Sequence, residues 1–261
     1  MKPFLSVIIP AYNESKRIIH TLLDVDRYLS SEKFKKLTQQ HNDDRDARGY
    51  EILVVDDGSK DNTVEVVKKF QSIIKNLKII ENQVNHGKGF AVRQGMIKAR
   101  GKLRLFTDAD NSTSIDHIEK MIPCFYGQGD DNVKYSIIIG SRVVRGAEIP
   151  VHQPLYKEIL GKLGNKFIQL VAVPGIVDTQ CGFKCFTDKA ARSVFTRGVI
   201  DGWAFDIEIL AIARLLRCYK IKEVPVKWIN DPESRVTLKA YFQVLLETIK
   251  IRINIWRGLY K

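Results

Sequence analysis

Two aspartates one residue apart, Asp108 and Asp110 in LFTDADNSTS, close a short apolar run. Hard divalent cations prefer carboxylate oxygen, and Mg²⁺ typically keeps several waters while binding one or two carboxylates plus substrate phosphates. Two Asp on a strand-end turn can therefore hold a metal whose outer face is open to a diphosphate. The alternative is capping of the helix expected near Ser114, a common use of Asx and Ser residues. A second acidic pair, Asp56 and Asp57 in VVDDGS, shifts the balance toward a ligand site. There a strand-end carboxylate can take a base imino group or a ribose hydroxyl, while the next one caps the turn into Gly58 and Ser59. Glu14 in PAYNE can accept from ribose hydroxyls or steady the first turn of its own helix. NHGKG supplies glycines where the chain enters a helix, so that backbone N–H groups and Lys88 can face phosphate. It lacks the spacing of a P-loop, and a plain helix start is its other reading.

The elements that must position these groups alternate. Apolar, β-branched runs at 5–10, 50–57, 77–81, 102–108 and 135–139 are separated by helical stretches from about Glu14, Asn62 and Lys88. Strands that are continuously apolar and separated by helices imply an α/β fold with a mostly parallel sheet covered on both faces, and ligands beyond the carboxyl ends of the strands. PAYNE, DDGS, NHGKG, DADNST and GSR would then converge on one sheet edge. The segment 38–50 reads as an exposed charged loop. Beyond Arg142 come an amphipathic helix with Leu155, Ile159, Leu163 and Phe167 at four-residue spacing, the motif DTQCGFKCF, a helix at 203–216, a strand at 220–228, and a last helix from about Leu238. Phe242, Leu245, Leu246, Ile249, Ile253, Trp256 and Tyr260 form one stripe of that helix, among Lys239, Lys250, Arg252, Arg257 and Lys261. Such helices either lie on a membrane surface or pack on the sheet. The organisation expected is a catalytic domain over 1–235, with a nucleotide-binding half at 1–110 and an acceptor half at 111–235, followed by a basic amphipathic helix at 236–261.

With 261 residues, 44% of them hydrophobic, the chain can bury a sizeable core. Cys124, Cys181, Cys185 and Cys218 have neither disulfide-scaffold density nor zinc-site spacing, and read as reduced core residues of a cytoplasmic protein. The amino terminus has no room for a signal-peptide cleavage region, and no apolar run is long enough to span a bilayer. A formal charge of +12 calls for an anionic partner: nucleic acid, anionic lipid or phosphorylated small molecules. Nucleic acid is disfavoured, because no helix-turn-helix or RNP signature is present and the paired aspartates would go unexplained.

Taken together, SVIIPAYNE, ILVVDDGSKDNT, NHGKGFAVRQGM, TDADNST, GSR, DTQCGFKCF and GWAFDIEIL resemble, in order and over nearly the whole chain, the family 2 glycosyltransferases of the GT-A fold. The resemblance is strongest to the dolichyl-phosphate β-glucosyltransferase branch. It implies inverting transfer of a hexose, glucose from UDP-glucose, to a polyprenyl phosphate. It also places Pro10, Tyr12, Glu14, Asp56 and Asp57 around the nucleoside, and puts Mg²⁺ or Mn²⁺ on Asp108 and Asp110. Members of this branch usually carry an amino-terminal transmembrane helix, which the amphipathic stretches would replace by lying peripherally at the cytoplasmic face of a membrane.

The acceptor's chemistry decides what else is needed. A phosphate monoester is already an anion near neutral pH, with a second pKa of roughly 6, and needs positioning more than a base. Arg142, Lys157 and Arg235 are the cations expected to meet it, Arg142 foremost because a guanidinium grips phosphate in a bidentate fashion. A sugar or protein hydroxyl must instead lose a proton to a carboxylate. Asp178 and Asp206 are the candidates for that, and Asp206 lies on an otherwise apolar helix, where an unpaired charge is costly.

Overall fold

The computed structural model describes residues 2–41, 49–151, 155–230 and 238–261, without the side chains of 155–159 and 238. Among these residues seven strands form one sheet: β1 (Leu5–Ala11), β2 (Tyr50–Asp56), β3 (Leu77–Glu81), β4 (Leu103–Thr107), β5 (Ile137–Ser141), β6 (Phe183–Thr187) and β7 (Ile221–Pro225). Their order is β3-β2-β1-β4-β6-β5-β7. β1, β2, β3 and β4 run parallel, and β6 is antiparallel to both β4 and β5. Two reversals leave β5 pointing the same way as β4, so the chain exits β1, β2, β3, β4 and β5 at one edge.

β1 is buried along its whole length because helices cover both faces of the sheet. Its alternate residues feed two cores. Ile8, with Val55 and Phe106, packs beneath α4 (Lys88–Lys98), α7 (Asp188–Phe195) and α8 (Phe205–Leu215). Val7 and Ile9 pack with Val54 and Leu105 under α1 (Ile18–Leu29), α3 (Thr63–Phe70) and α5 (Ile118–Phe125).

Several boundaries differ from the sequence expectation. The first helix starts at Ile18, after a bidentate Glu14–Arg17 pair, and α2 (Glu32–His41) carries helix into the stretch expected as loop. β5 lies two residues later than expected. β6 and α7 were not foreseen. Of the cysteines, Cys218 is exposed rather than buried.

The helices α6 (Leu155–Val171) and α9 (Leu238–Trp256) pack against each other. α9 is anchored by Val244, Thr248 and Ile251, all buried. The stripe read from sequence therefore faces outward: Phe242 is 69% exposed, Leu246 68% and Trp256 72%. Tyr260 leaves that stripe, being fully buried and donating to Glu208 at 2.7 Å. No helix among the described residues is long and apolar enough to cross a membrane.

Candidate active site

An open cavity of about 1400 Å³ lies at the sheet edge where the motifs meet. Pro10, Tyr12, Glu14, Asp57, Lys88, Asp108, Asp110, Asp206, Arg142 and Asp178 all line it. Asp56 is outside it. Its carboxylate accepts from the Ser59 N–H at 3.0 Å and from the Ser59 hydroxyl, so Asp56 caps the turn and Asp57 is the pocket residue, the reverse of the order the strand-end argument suggests. Lys157 lies in α6, but its side chain is outside the description, as is Arg235 altogether.

The DAD turn is held from behind. Thr21 of α1 donates to the Ala109 carbonyl at 2.7 Å, and Asn111, at φ +55°, donates to Asp24 at 2.8 Å. Asn is among the few side chains that tolerate this left-handed conformation. Asp110 accepts from the Ser112 N–H at 3.0 Å, and Ser114 at the following helix start makes no side-chain cap. Burial, and then the negative charge of Asp108, push the Asp110 carboxyl above its ordinary range. Asp108 Oδ1 is buried without a hydrogen bond of good geometry, although Lys88 Nζ stands 2.6 Å away. Mutual repulsion and an incompletely satisfied oxygen suit a hard cation. Among the described residues no group of three or more His, Cys, Asp or Glu could hold one, so such an ion would complete its shell from water and phosphate.

Behind Asp108 sits Gly182 of DTQCGFKCF. A Cβ there would lie 2.0 Å from Asp108 Oδ2. The same motif supplies Lys184, fully buried, whose ammonium donates to the Cys181 carbonyl at 2.6 Å and to Asp206 at 2.5 Å. Burial pushes the Asp206 carboxyl up, against the pull of Lys184 and Lys88.

The glycines of NHGKG serve packing more than phosphate. Gly87, at φ +113°, comes so close to the 201–202 backbone that a Cβ would meet the Asp201 carbonyl at 2.4 Å. The His86 and Gly87 N–H groups donate to Asp57, and those of Gly89 and Phe90 to the Asp201 carbonyl. Asn85, His86, Gly87 and Lys88 all line the cavity, and the Lys88 ammonium stands 5.4 Å from the centre of the Trp203 ring.

Arg142 and Asp178, expected in separate roles, form one bidentate pair at 2.9 and 2.8 Å, and Asp178 also accepts the Arg142 N–H at 2.8 Å. Burial would raise the Asp178 carboxyl, but the guanidinium outweighs it and holds the group below its ordinary value. The guanidinium also stacks on Trp228, 5.4 Å from its centre, which a bridge between Trp228 and Thr113 ties to the DAD loop.

A model described as glycosyl transferase family 2 matches residues 6–192. The chain belongs to glycosyltransferase family 2. It is 36% identical to a dolichyl-phosphate beta-glucosyltransferase of Trichomonas vaginalis, over 98% of this chain and 73% of that one. It is 33% identical to the dolichyl-phosphate beta-glucosyltransferase of Homo sapiens, over 98% and 77%. In fold this glycosyltransferase is similar to glucosyl-3-phosphoglycerate synthase from Mycobacterium tuberculosis, solved in complex with Mn²⁺, uridine diphosphate and glucosyl-3-phosphoglycerate: TM-score 0.60, 16% identity, covering 96% of this chain and 80% of that one. The fold is thus GT-A, as the resemblance implied. Gly182, Lys184, Trp203 and Trp228 were not singled out from the sequence of this enzyme. The available signal was a Lys inside an otherwise apolar strand, FKCFT.

Proposed function

We propose that the protein transfers glucose from UDP-glucose to dolichyl phosphate with inversion; that its relatives are named dolichyl-phosphate beta-glucosyltransferases supports the sugar and the acceptor. The observation that supports a phosphate acceptor most directly is the state of the two candidate bases: Asp178 is gripped by Arg142 and Asp206 by Lys184. A hydroxyl acceptor would need one of these carboxylates to take a proton, whereas a phosphate arrives ionised.

In this reading residues 1–110 carry the nucleotide half, with Pro10, Tyr12, Glu14 and Asp57 around the nucleoside. Asp108 and Asp110 hold Mg²⁺ or Mn²⁺, which when bound neutralises the departing diphosphate. Lys88 reaches the same diphosphate oxygens. Arg142, already charged and braced by Asp178 and Trp228, presents its remaining N–H donors to the acceptor phosphate, with Lys157 and Arg235 as further contacts. Asp206 stays with Lys184 and holds the floor of the pocket, away from proton transfer.

The acceptor is a lipid, and the exposed stripe of α9 supplies a surface for it. Phe242 both lines the cavity and stands 69% exposed, so the stripe runs into the pocket mouth. Apolar side chains flanked by Lys250, Arg252 and Arg257 suit an anionic membrane surface.

The test is to incubate the protein with radiolabelled UDP-glucose or GDP-mannose, Mn²⁺ and dolichyl phosphate in vesicles. Glucose label should enter the organic phase and mannose label should not. Release of UDP without lipid label, in the presence of sugar acceptors, would overturn the acceptor assignment. Flotation with phosphatidylserine vesicles should fall when Phe242 and Trp256 are changed to Glu.

A further inference from the structure

The position of Lys88 carries a consequence for how the donor loads, one that rests on the metal reading above. Asp108 is closed on one side by Gly182, against which no Cβ fits, and on the other by the Lys88 ammonium at 2.6 Å. Lys88 opens α4, and its backbone is fixed between the left-handed Gly87 and Gly89, where a Cβ would meet the Ile200 carbonyl at 2.6 Å. The side chain therefore reaches Asp108 from a rigid base, over Trp203, and its other electrostatic neighbours are Asp206 and Asp110. A divalent ion held by Asp108 and Asp110 would compete with this ammonium for the Asp108 carboxylate and would meet its positive charge. Without nucleotide the exchange leaves two like charges together in a half-buried pocket. With a diphosphate present, the ammonium moves to phosphate oxygens and the repulsion is offset.

We propose that Lys88 is an internal counter-cation of Asp108 that keeps the divalent-ion site closed until a nucleoside diphosphate arrives, making metal and nucleotide binding strongly cooperative. Substituting the ammonium by a neutral chain opens the site to metal alone. It also shrinks, by the same factor, the gain in nucleotide affinity that metal confers, because coupling between two ligands is reciprocal.

The experiment measures Mn²⁺ binding to the full chain by the electron paramagnetic resonance signal of free Mn²⁺, with and without UDP, for the wild type, Lys88→Met and Lys88→Arg. Lys88→Met should bind Mn²⁺ alone at least about tenfold more tightly than the wild type, and the gain conferred by UDP should shrink by a similar factor, within the usual range for coupled sites. Lys88→Arg, which keeps the charge, should remain a weak binder of Mn²⁺ alone. Circular dichroism confirms that each variant is folded. A change smaller than about threefold in Lys88→Met, with UDP still enhancing Mn²⁺ binding, overturns the gate while leaving the metal site standing. If no protein binds Mn²⁺ even with UDP, the Asp108–Asp110 reading falls, and the gate with it.

Discussion

Gly182→Ala should separate the catalytic geometry from the stability of the fold. The added methyl would sit 2.0 Å from Asp108 Oδ2, 2.5 Å from its Cγ and 2.8 Å from Oδ1, whereas such contacts essentially never fall below 3.0 Å. The carboxylate must therefore move by about 1 Å, the difference between 3.0 and 2.0. The atoms struck belong to the end of a side chain that is 31% exposed, so the collision is relieved by rotating Asp108 rather than by parting strands. A displacement of about 1 Å at a reacting centre costs roughly 100-fold in rate. Glucose transfer to dolichyl phosphate, measured across a Mn²⁺ titration, should fall by about that factor. The midpoint for Mn²⁺ should rise, and the thermal unfolding midpoint should stay within about 2 °C, the shift expected of a surface-scale change. Wild-type turnover in Gly182→Ala would refute the claim that Gly182 sets the position of Asp108. Outright unfolding would refute the claim that the side chain absorbs the clash.

Three further perturbations follow from the pairings in the pocket. Asp110→Asn removes a repulsion with Asp108, so it should raise the unfolding midpoint slightly while costing transfer about 100-fold or more through lost charge stabilisation; a lowered midpoint in differential scanning fluorimetry would contradict the repulsion. Lys184→Met strands the buried Asp206 carboxylate and should cost about 3 kcal/mol in urea unfolding, most of it recovered in Lys184→Met/Asp206→Leu; equal loss in both would show that the pair is not the cause. Asp178→Asn should cost about 3 kcal/mol at pH 7. Because the folded-state value of Asp178 is depressed, its contribution is complete above the ordinary carboxylate value of about 3.9 and is lost as pH falls through the folded value. The difference between wild type and Asp178→Asn should therefore hold from pH 7 to 5 and shrink below about pH 4; a constant difference down to pH 3 would refute the pairing.

The parallel half of the fold was legible because its strands are short, wholly buried and separated by helices, which a periodicity argument can see. β6 was not: FKCFT carries Lys184, whose charge breaks the apolar run, and its charged partner Asp206 lies 22 residues away, where the strand's own sequence does not show it. The same limit applies to the site. Residue types marked Asp108, Asp57 and Arg142 as candidates, and the fold brings all three to one cavity, but they did not reveal that Arg142 and Asp178 neutralise each other, nor that the His86, Gly87 and Gly89 N–H groups go to Asp57 and Asp201. Those are distances between segments far apart in the chain. The outward turn of the α9 stripe has a similar origin. Val244, Thr248 and Ile251 form a second, less obvious face, and the neighbour it packs against cannot be read from α9 alone.

That inward face also changes what α9 does. Glu247 accepts the Ala204 N–H at 3.0 Å and is steadied by Gln243 at 2.9 Å. Past the end of the helix, Tyr260 reaches Glu208, which in turn accepts the Val199 and Ile200 N–H groups. The segment between, 199–204, offers the Asp201 carbonyl to the start of α4 and sets Trp203 under Lys88. A helix that reads in sequence as a basic appendage thus braces the Lys88 side of the pocket with one face while presenting apolar side chains with the other. Between the outer stripe of α9 and Lys88 there thus stands only the segment 199–204, held by α9 at Ala204 and touching α4 through Asp201.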